Sequence, residues 1–388
     1  MDAVYFDHAA TTPLDQRVLD KMQPYFTEEF GNASSAHQFG RTAKVAIEEA
    51  RETIAALIGA EPSEIVFTSG GTESDNAILK GVTAATRKTE IITSPIEHHA
   101  VIHPAESLKR QGVKIIYLEP NENGEVRPEQ VADAINDDTA IVSLMHVNNE
   151  IGTINPIREI AEICKEHRVT FHSDTVQSIG KVPVNVKDLG VDSLSISAHK
   201  IYGPKGVGVL YVKNGTPWIP WLQGGSQERR RRGGTSNTVG IVGLAEAMRL
   251  AINEMEENRA HFSQLKNVLL KELKTRFGNR YKVNGPGIEG APHILNVAFP
   301  VDDDRGLDGE MLLLNLDIEG ICVSNGSACT SGAMDPSHVL SGIGLSESRA
   351  NSSIRISFGK NNTVEQVEFL ADRLQVVLDR MLSMADQA

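Results

Sequence analysis

Val191-Asp192-Ser193-Leu194-Ser195-Ile196-Ser197-Ala198-His199-Lys200-Ile201-Tyr202-Gly203-Pro204-Lys205-Gly206 reads as a short buried strand that ends on a His-Lys pair and a Gly/Pro turn. Its first residues alternate apolar and small polar side chains, the period-two pattern of a strand. Gly206 to Val212 reads as the next strand. A lysine at a strand end is ordinarily a solvated surface residue. One held there with water partly excluded has a lowered pKa, and its neutral amine can attack a carbonyl. Which of the two Lys200 is depends on the chain around it.

Working outward toward the N-terminus, the chain alternates. Glu64 to Thr68, Ile91 to Thr93, Val113 to Leu118, Ala140 to His146 and Thr170 to Asp174 read as strands, and 73–86, 99–111, 128–136 and 156–167 read as helices. Such alternation implies a mostly parallel sheet with helices on both faces. Ligands of these sheets sit at the carboxyl ends of the strands. Thr68 to Thr72, His98, Asn149, Asp174 to Gln177 and Lys200 all follow predicted strands, so five strand ends converge on one crevice.

Further out, Asp7-His8-Ala9-Ala10-Thr11-Thr12-Pro13 lies in an extended polar arm, and 15–30 reads as helical. In 40–59, Val45, Ile47, Ala50, Ile54, Leu57 and Ile58 are assigned to one apolar helix face. A long helix over 241–276 leads to strands 294–299 and 354–357 and helices 309–317 and 364–385. Ser324 to Ser337 is a Ser/Gly-rich loop, the composition of functional loops. The expected fold class is α/β, with a large domain over 15–255. A smaller α+β domain takes 1–14 and 256–388 and carries the 324–337 loop.

Bulk properties limit the function. The 388 residues carry a formal charge of -13, which argues against general nucleic-acid or anionic-membrane binding. The N-terminus lacks the basic and apolar regions of a secretory signal, and no apolar run approaches the ~18–20 residues of a membrane span. Three cysteines are too few for a disulfide framework, and a reducing cytoplasm is the simplest compartment.

Ser69-Gly70-Gly71-Thr72 sits between a strand and a helix, where free N–H groups and the helix dipole make an anion site that glycine lets a phosphate approach closely. Asp174 ends a strand. Such a carboxylate is either a helix cap or, when buried against a pyridine nitrogen, the group that keeps that nitrogen protonated. Arg229 to Arg232 is either a solvated loop or a patch facing a phosphate or an acidic partner.

Several of these stretches also carry a resemblance. Ser-Ala-His-Lys-Ile-Tyr-Gly-Pro-Lys-Gly at 197–206, Thr-Glu-Ser at 72–74, Glu-His-His-Ala-Val at 97–101 and His-Val-Asn-Asn-Glu-Ile-Gly at 146–152 occur together. Gly-Gly-Thr at 233–235 and Ser-Ala-Cys-Thr-Ser at 327–331 accompany them. Together they resemble a cysteine desulfurase of the NifS/IscS type, in the class V aminotransferase family of fold-type I pyridoxal-phosphate enzymes. The resemblance runs from Tyr5 to about Gly359.

It implies a seven-stranded sheet, pyridoxal 5'-phosphate as cofactor and a homodimer with shared sites. Lys200 matches the lysine that holds the cofactor and moves protons on the substrate carbon. Gly71, Thr72, Ser197 and His199 match the phosphate cradle, and Thr235 a residue reaching the partner subunit's phosphate. His98 matches the imidazole stacked on the ring, Asp174 the pyridine-nitrogen partner, and Gln177 a donor to the phenolic oxygen. Asn149 and Arg355 match the substrate-carboxylate clamp, a use that suits arginine's planar fork.

Cysteine usage separates sulfur chemistry from ordinary amino-group chemistry. Cys164, at helical spacing with Ile157, Ile160 and Ala161, and Cys322, in Ile321-Cys322-Val323, are expected to be packed core thiols. Cys329 lies among small polar residues and matches the catalytic thiol. The implied reaction converts L-cysteine to L-alanine and leaves a persulfide on Cys329. An iron–sulfur scaffold or another sulfur-acceptor protein would receive it. The resemblance implies no intrinsic metal, with Cys329 at most a transient ligand of a nascent iron–sulfur cluster. A selenocysteine lyase or another pyridoxal-phosphate amino-acid enzyme on this scaffold is the alternative, and a non-catalytic scaffold protein is a further one.

Overall fold

The computed structural model describes residues 3–299, 307–325 and 336–385. Its strands, in chain order, are β1 (Val4–Tyr5), β2 (Ile65–Thr68), β3 (Glu90–Thr93), β4 (Lys114–Tyr117), β5 (Thr139–Ser143), β6 (Thr170–Asp174), β7 (Ser193–Ser197), β8 (Gly208–Val212), β9 (Lys282–Asn284), β10 (Ile294–Ala298), β11 (Ile321–Cys322) and β12 (Ser353–Ser357). Seven of them form one sheet in the order β2-β8-β7-β6-β5-β3-β4. β8 runs antiparallel to both neighbours, and the other pairings are parallel. β2, β3, β5, β6, β7 and β8 are buried along their length, as a sheet covered on both faces requires.

Two apolar layers cover it. On one face Ile47, Ile54 and Ile58 of helix Gln38–Ile58 meet Ile160 of helix Ile157–Glu166 and Leu244 and Met248 of helix Thr238–Asn253. On the other, Ile78 and Val82 of helix Gly71–Thr86 pack with Val101 and Leu108 of helix His99–Lys109. Val45 is 56% exposed, because two residues along a helix turn it about 200° from Ile47.

A second core forms around the antiparallel sheet β12-β10-β9, packed by Phe262, Leu265, Leu269 and Leu273 and by Leu370 and Leu374. The expected helix over 241–276 is two helices, Thr238–Asn253 and Met255–Phe277, joined at Glu254. The first half serves the seven-stranded sheet and the second half the other core, so the two need different faces. The N-terminal arm bridges both. β1 pairs with β11, Asp7 bridges to Ser357, and Thr12 N–H donates to the His199 carbonyl at 2.9 Å.

Candidate active site

A cavity of about 740 Å³ opens at the carboxyl ends of β2, β5, β6 and β7. It brings together Gly71, Thr72, His98, Asn149, Asp174, Gln177, Ser197, His199, Lys200 and Arg355. Thr235 is exposed and is not among the residues lining it. Cys329 lies outside the described residues.

Lys200 ends a single 3-10 turn, Ala198–Lys200, which directly follows β7. Its Nζ donates to the carbonyls of Ala9, at 2.6 Å, and Ala10, at 2.7 Å. Burial, with the nearby Arg355 guanidinium, brings its pKa down to about 8, against the opposing carboxylates of Asp174 and Asp7. A larger share of the amine is therefore neutral near pH 7 than for a solvated lysine. Behind it, Lys181 Nζ donates to the Lys200 carbonyl at 2.9 Å and pins the turn.

Asp174 ends β6 and accepts from Val176 N–H at 2.8 Å. Burial raises its carboxyl to about 6, while that hydrogen bond and the Lys200 charge oppose the rise. His98 caps helix His99–Lys109: its Nδ1 accepts from Ala100 N–H at 3.1 Å. That bond places the proton of the neutral ring on Nε2, and burial with nearby Lys200 keeps the ring neutral by lowering its pKa to about 4. Thr175, beside Asp174, turns its hydroxyl into the sheet, onto the Ser195 carbonyl at 2.9 Å.

The phosphate-sized corner lies between β2 and helix Gly71–Thr86. Gly70 has φ +151°, a conformation L side chains rarely adopt, and a Cβ on Gly71 would meet Val176 Cγ2 at 2.7 Å. Ser197 and His199 flank the corner, with His199 Nδ1 3.1 Å from Thr11 Oγ1. Three of the four arginines close on their own chain. Arg232 pairs with Glu73 at 2.9 Å, Arg229 with Glu48 at 3.2 Å, and Arg231 donates to the Ser63 carbonyl at 2.6 Å. Glu73 lines the cavity, whereas none of the four arginines does.

Arg355, on β12, donates from Nη2 to Asp7 at 2.7 Å and from Nη1 to the Asn149 carbonyl at 3.0 Å. Ser324 Oγ also donates to Asp7, at 3.0 Å. Among the described residues, Arg355 Nε, Asn149 Oδ1 and Gln177 Oε1 are buried without hydrogen-bond partners. These unpaired groups, the glycine cradle and a carboxylate facing a lysine fit pyridoxal phosphate: a phosphate end, a pyridine nitrogen and an aldehyde each meet a suitable group.

Sequence reasoning passed over Asp7, Lys181 and the buried carboxyls Asp75 and Glu97. The arm was read as a polar extension, but its carbonyls hold Lys200 and its carboxylate holds Arg355. A signal existed in the polar run at 7–12. For Asp75 it was an acid one turn before the apolar pair Ile78 and Leu79 on the same helix face. The expectation for Cys164 agrees with its burial; Cys322 is on a strand but only half-buried.

Comparison with known proteins gives a consistent result. The aminotransferase class-V family model matches residues 4–370. The chain is 47% identical to a cysteine desulfurase IscS of Dictyoglomus turgidum over 97% of this chain and 95% of that one. It is 48% identical to a putative cysteine desulfurase IscS 1 of Bacillus subtilis over 98% and 100%. A solved NifS-like protein superposes with a TM-score of 0.90 at 40% identity, covering 97% and 99% of the two chains. SspA in complex with cysteine superposes with a TM-score of 0.78 at 37% identity, covering 91% and 98%. With this sheet order and cavity, the chain belongs to the aminotransferase class-V family and, within it, to the pyridoxal-phosphate-dependent cysteine desulfurases of the NifS/IscS type.

Proposed function

We propose that this protein removes sulfur from L-cysteine, releasing L-alanine and leaving a persulfide on Cys329. The observation that carries the reading is a buried lysine of lowered pKa in one cavity with Asp174, His98, Gln177 and the glycine cradle. The substrate assignment is supported by the relatives named cysteine desulfurase and by the similar protein solved with cysteine.

Bound pyridoxal phosphate supplies an electron sink for the charge left when the substrate loses its α-proton. The chain's residues do the rest. Gly71, Thr72, Ser197 and His199 bind phosphate, and Asp174 keeps the pyridine nitrogen protonated. Arg355 and Asn149 orient the substrate carboxylate. Lys200 takes the α-proton and returns one to carbon. The Cys329 thiolate attacks the substrate sulfur, the carbon–sulfur bond breaks with its electron pair left on carbon, and that carbon is protonated. Atoms balance as cysteine plus thiol giving alanine plus persulfide.

The reading extends to a homodimer in which Thr235 of one subunit meets the phosphate of the other. Its exposure and its place outside its own cavity support this. It includes the division into a cofactor domain over 15–255 and a smaller domain carrying the 324–337 loop. The persulfide then passes to an iron–sulfur scaffold or another acceptor in the cytoplasm, a compartment that suits a chain with three cysteines. Among the described residues no helix is long and apolar enough to cross a membrane, and no cluster of three His, Cys, Asp or Glu is placed to hold a metal.

The test is to add L-cysteine to the purified holoenzyme and assay alanine and protein persulfide. Both should form, and Cys329→Ser should keep the cofactor absorbance while abolishing the persulfide. A cofactor band with neither product would move the function to another amino-acid reaction.

A further inference from the structure

Behind the cavity floor the sheet carries an unusual line of polar side chains. Ser143, His172 and Ser195 lie on adjacent strands β5, β6 and β7 and are 0% exposed. Ser143 pairs in register with His172, and Asp174 with Ser195. The His172 ring is held from both ends, with Nδ1 2.9 Å from Ser143 Oγ and Nε2 3.0 Å from Ser195 Oγ. Asp75, from helix Gly71–Thr86, completes the line. Its Oδ1 lies 3.5 Å from His172 Nε2, and the Ser195 hydroxyl is within reach of the same carboxyl. Asp75 is 1% exposed, and its Oδ1 has no hydrogen-bond partner among the described residues.

Three buried carboxyls lie close enough to feel one another's charge: Asp75 and Asp174, which line the cavity, and Glu97 behind them. Glu97 accepts from Met145 N–H at 2.7 Å, and its other oxygen has no partner among the described residues. Like charges sharing a dry site cannot all ionise. Asp75 and Asp174 both line the cavity, and of the two Asp174 takes a backbone N–H and faces Lys200. It is the one placed to hold the charge.

We propose that Asp75 is a positioning residue for Asp174: it holds a proton, keeps the Ser195 hydroxyl on its own side, and leaves Asp174 as the anion of the floor. The geometry explains the need. Ser195 stands beside Asp174 in register, so its hydroxyl has two carboxyls to choose between. If it turned to Asp174 it would draw that oxygen away from the pyridine nitrogen. Burial and the neighbouring Asp174 charge push the Asp75 carboxyl upward against the Ser195 hydroxyl, which opposes the rise, and burial holds His172 neutral, which agrees with the proton residing on Asp75.

The inference rests on the pyridoxal-phosphate reading above. It is tested on holoenzymes carrying Asp75→Asn, which mimics the neutral acid, and Asp75→Ala, which removes the cap. Asp75→Asn should leave the pH midpoint of the cofactor's visible band in place. Asp75→Ala should move it by about one pH unit and weaken cofactor binding by about tenfold, as loss of an outer supporting partner does elsewhere. The infrared difference between wild type and Asp75→Asn at about pH 8, above the ordinary carboxyl range, should show one neutral carboxyl missing. A missing carboxylate instead, or an equal shift in both variants, would show that Asp75 is charged and overturn the proposal. A silent Asp75→Ala would make it a spectator. Should Asp75→Ala not fold, the infrared comparison still decides. A wild-type protein without a cofactor band overturns the functional reading and the proposal with it, whereas the variant results bear on Asp75 alone.

Discussion

Lys200 shows how surroundings turn a common side chain into a reagent. Its amine is buried, beside Arg355, and brought to about 8. Only the neutral amine attacks a carbonyl, so below that value the reactive fraction falls with each step down in pH. The rate of pyridoxal-phosphate loading into apoprotein should rise about tenfold per unit up to pH about 8 and then flatten. Stopped-flow absorbance would measure this. Asp174→Asn should move the break downward, because the Asp174 carboxylate holds the lysine pKa up. Lys200→Ala should lower alanine formation by about 10³-fold or more. Arg355→Ala should raise KM for cysteine by at least about tenfold while the cofactor stays bound, since Arg355 is assigned to the substrate and reaches the cofactor only through its charge on Lys200. Lys200 and Asp174 were legible in sequence because each stands at the end of a strand and carries distinctive chemistry, whereas Arg355, in the middle of β12, was legible only through the resemblance. Asp7 and Asp75 were not, because their importance comes from chain segments that only the fold brings together.

The turn at 226–232 shows an element held by one buried pair. Glu228 accepts from Arg51 Nη1 at 2.8 Å, Arg51 Nη2 at 3.0 Å and Phe67 N–H at 3.0 Å. Both side chains are nearly inaccessible. Glu228, Arg229 and Arg230 all have φ between 46° and 67°, a left-handed run that non-glycine residues adopt only when held. Glu228→Ala should cost about 3 kcal/mol in unfolding free energy, measured by urea titration, because it leaves the buried Arg51 guanidinium with only the half-exposed Glu48 and the Ile65 carbonyl. A loss below about 1 kcal/mol would show the pair to be incidental. The sequence displayed the arginines but not what they answer, since Glu48, Ser63 and Glu73 come from separate segments. The helix split at Glu254 was hidden for a similar reason. Both halves are helical in composition, and only the change of core divides them. The alternating strands and helices were plain, because a parallel sheet writes its pattern locally.

At the scale of the whole molecule, two cores meet across the cavity, and the N-terminal arm ties them through β1 to β11 and through Thr12 to His199. The phosphate corner belongs to the first core and Arg355 to the second. The proposed homodimer predicts a mass in solution of twice the 42.2 kDa of the chain. Thr235→Ala should weaken cofactor binding without altering the monomer's fold, which circular dichroism and cofactor titration would separate. Shared sites were legible only through resemblance, since a single chain's spacing carries no information about its neighbour. The central claim is that sulfur passes from cysteine to Cys329. The measurement that tests it most directly is the intact mass of the holoenzyme after one equivalent of L-cysteine. The account predicts a gain of one sulfur atom, located on Cys329, equal in amount to the alanine released and absent from Cys329→Ser. Alanine formed with no sulfur on the chain, or sulfur retained by Cys329→Ser, would contradict it.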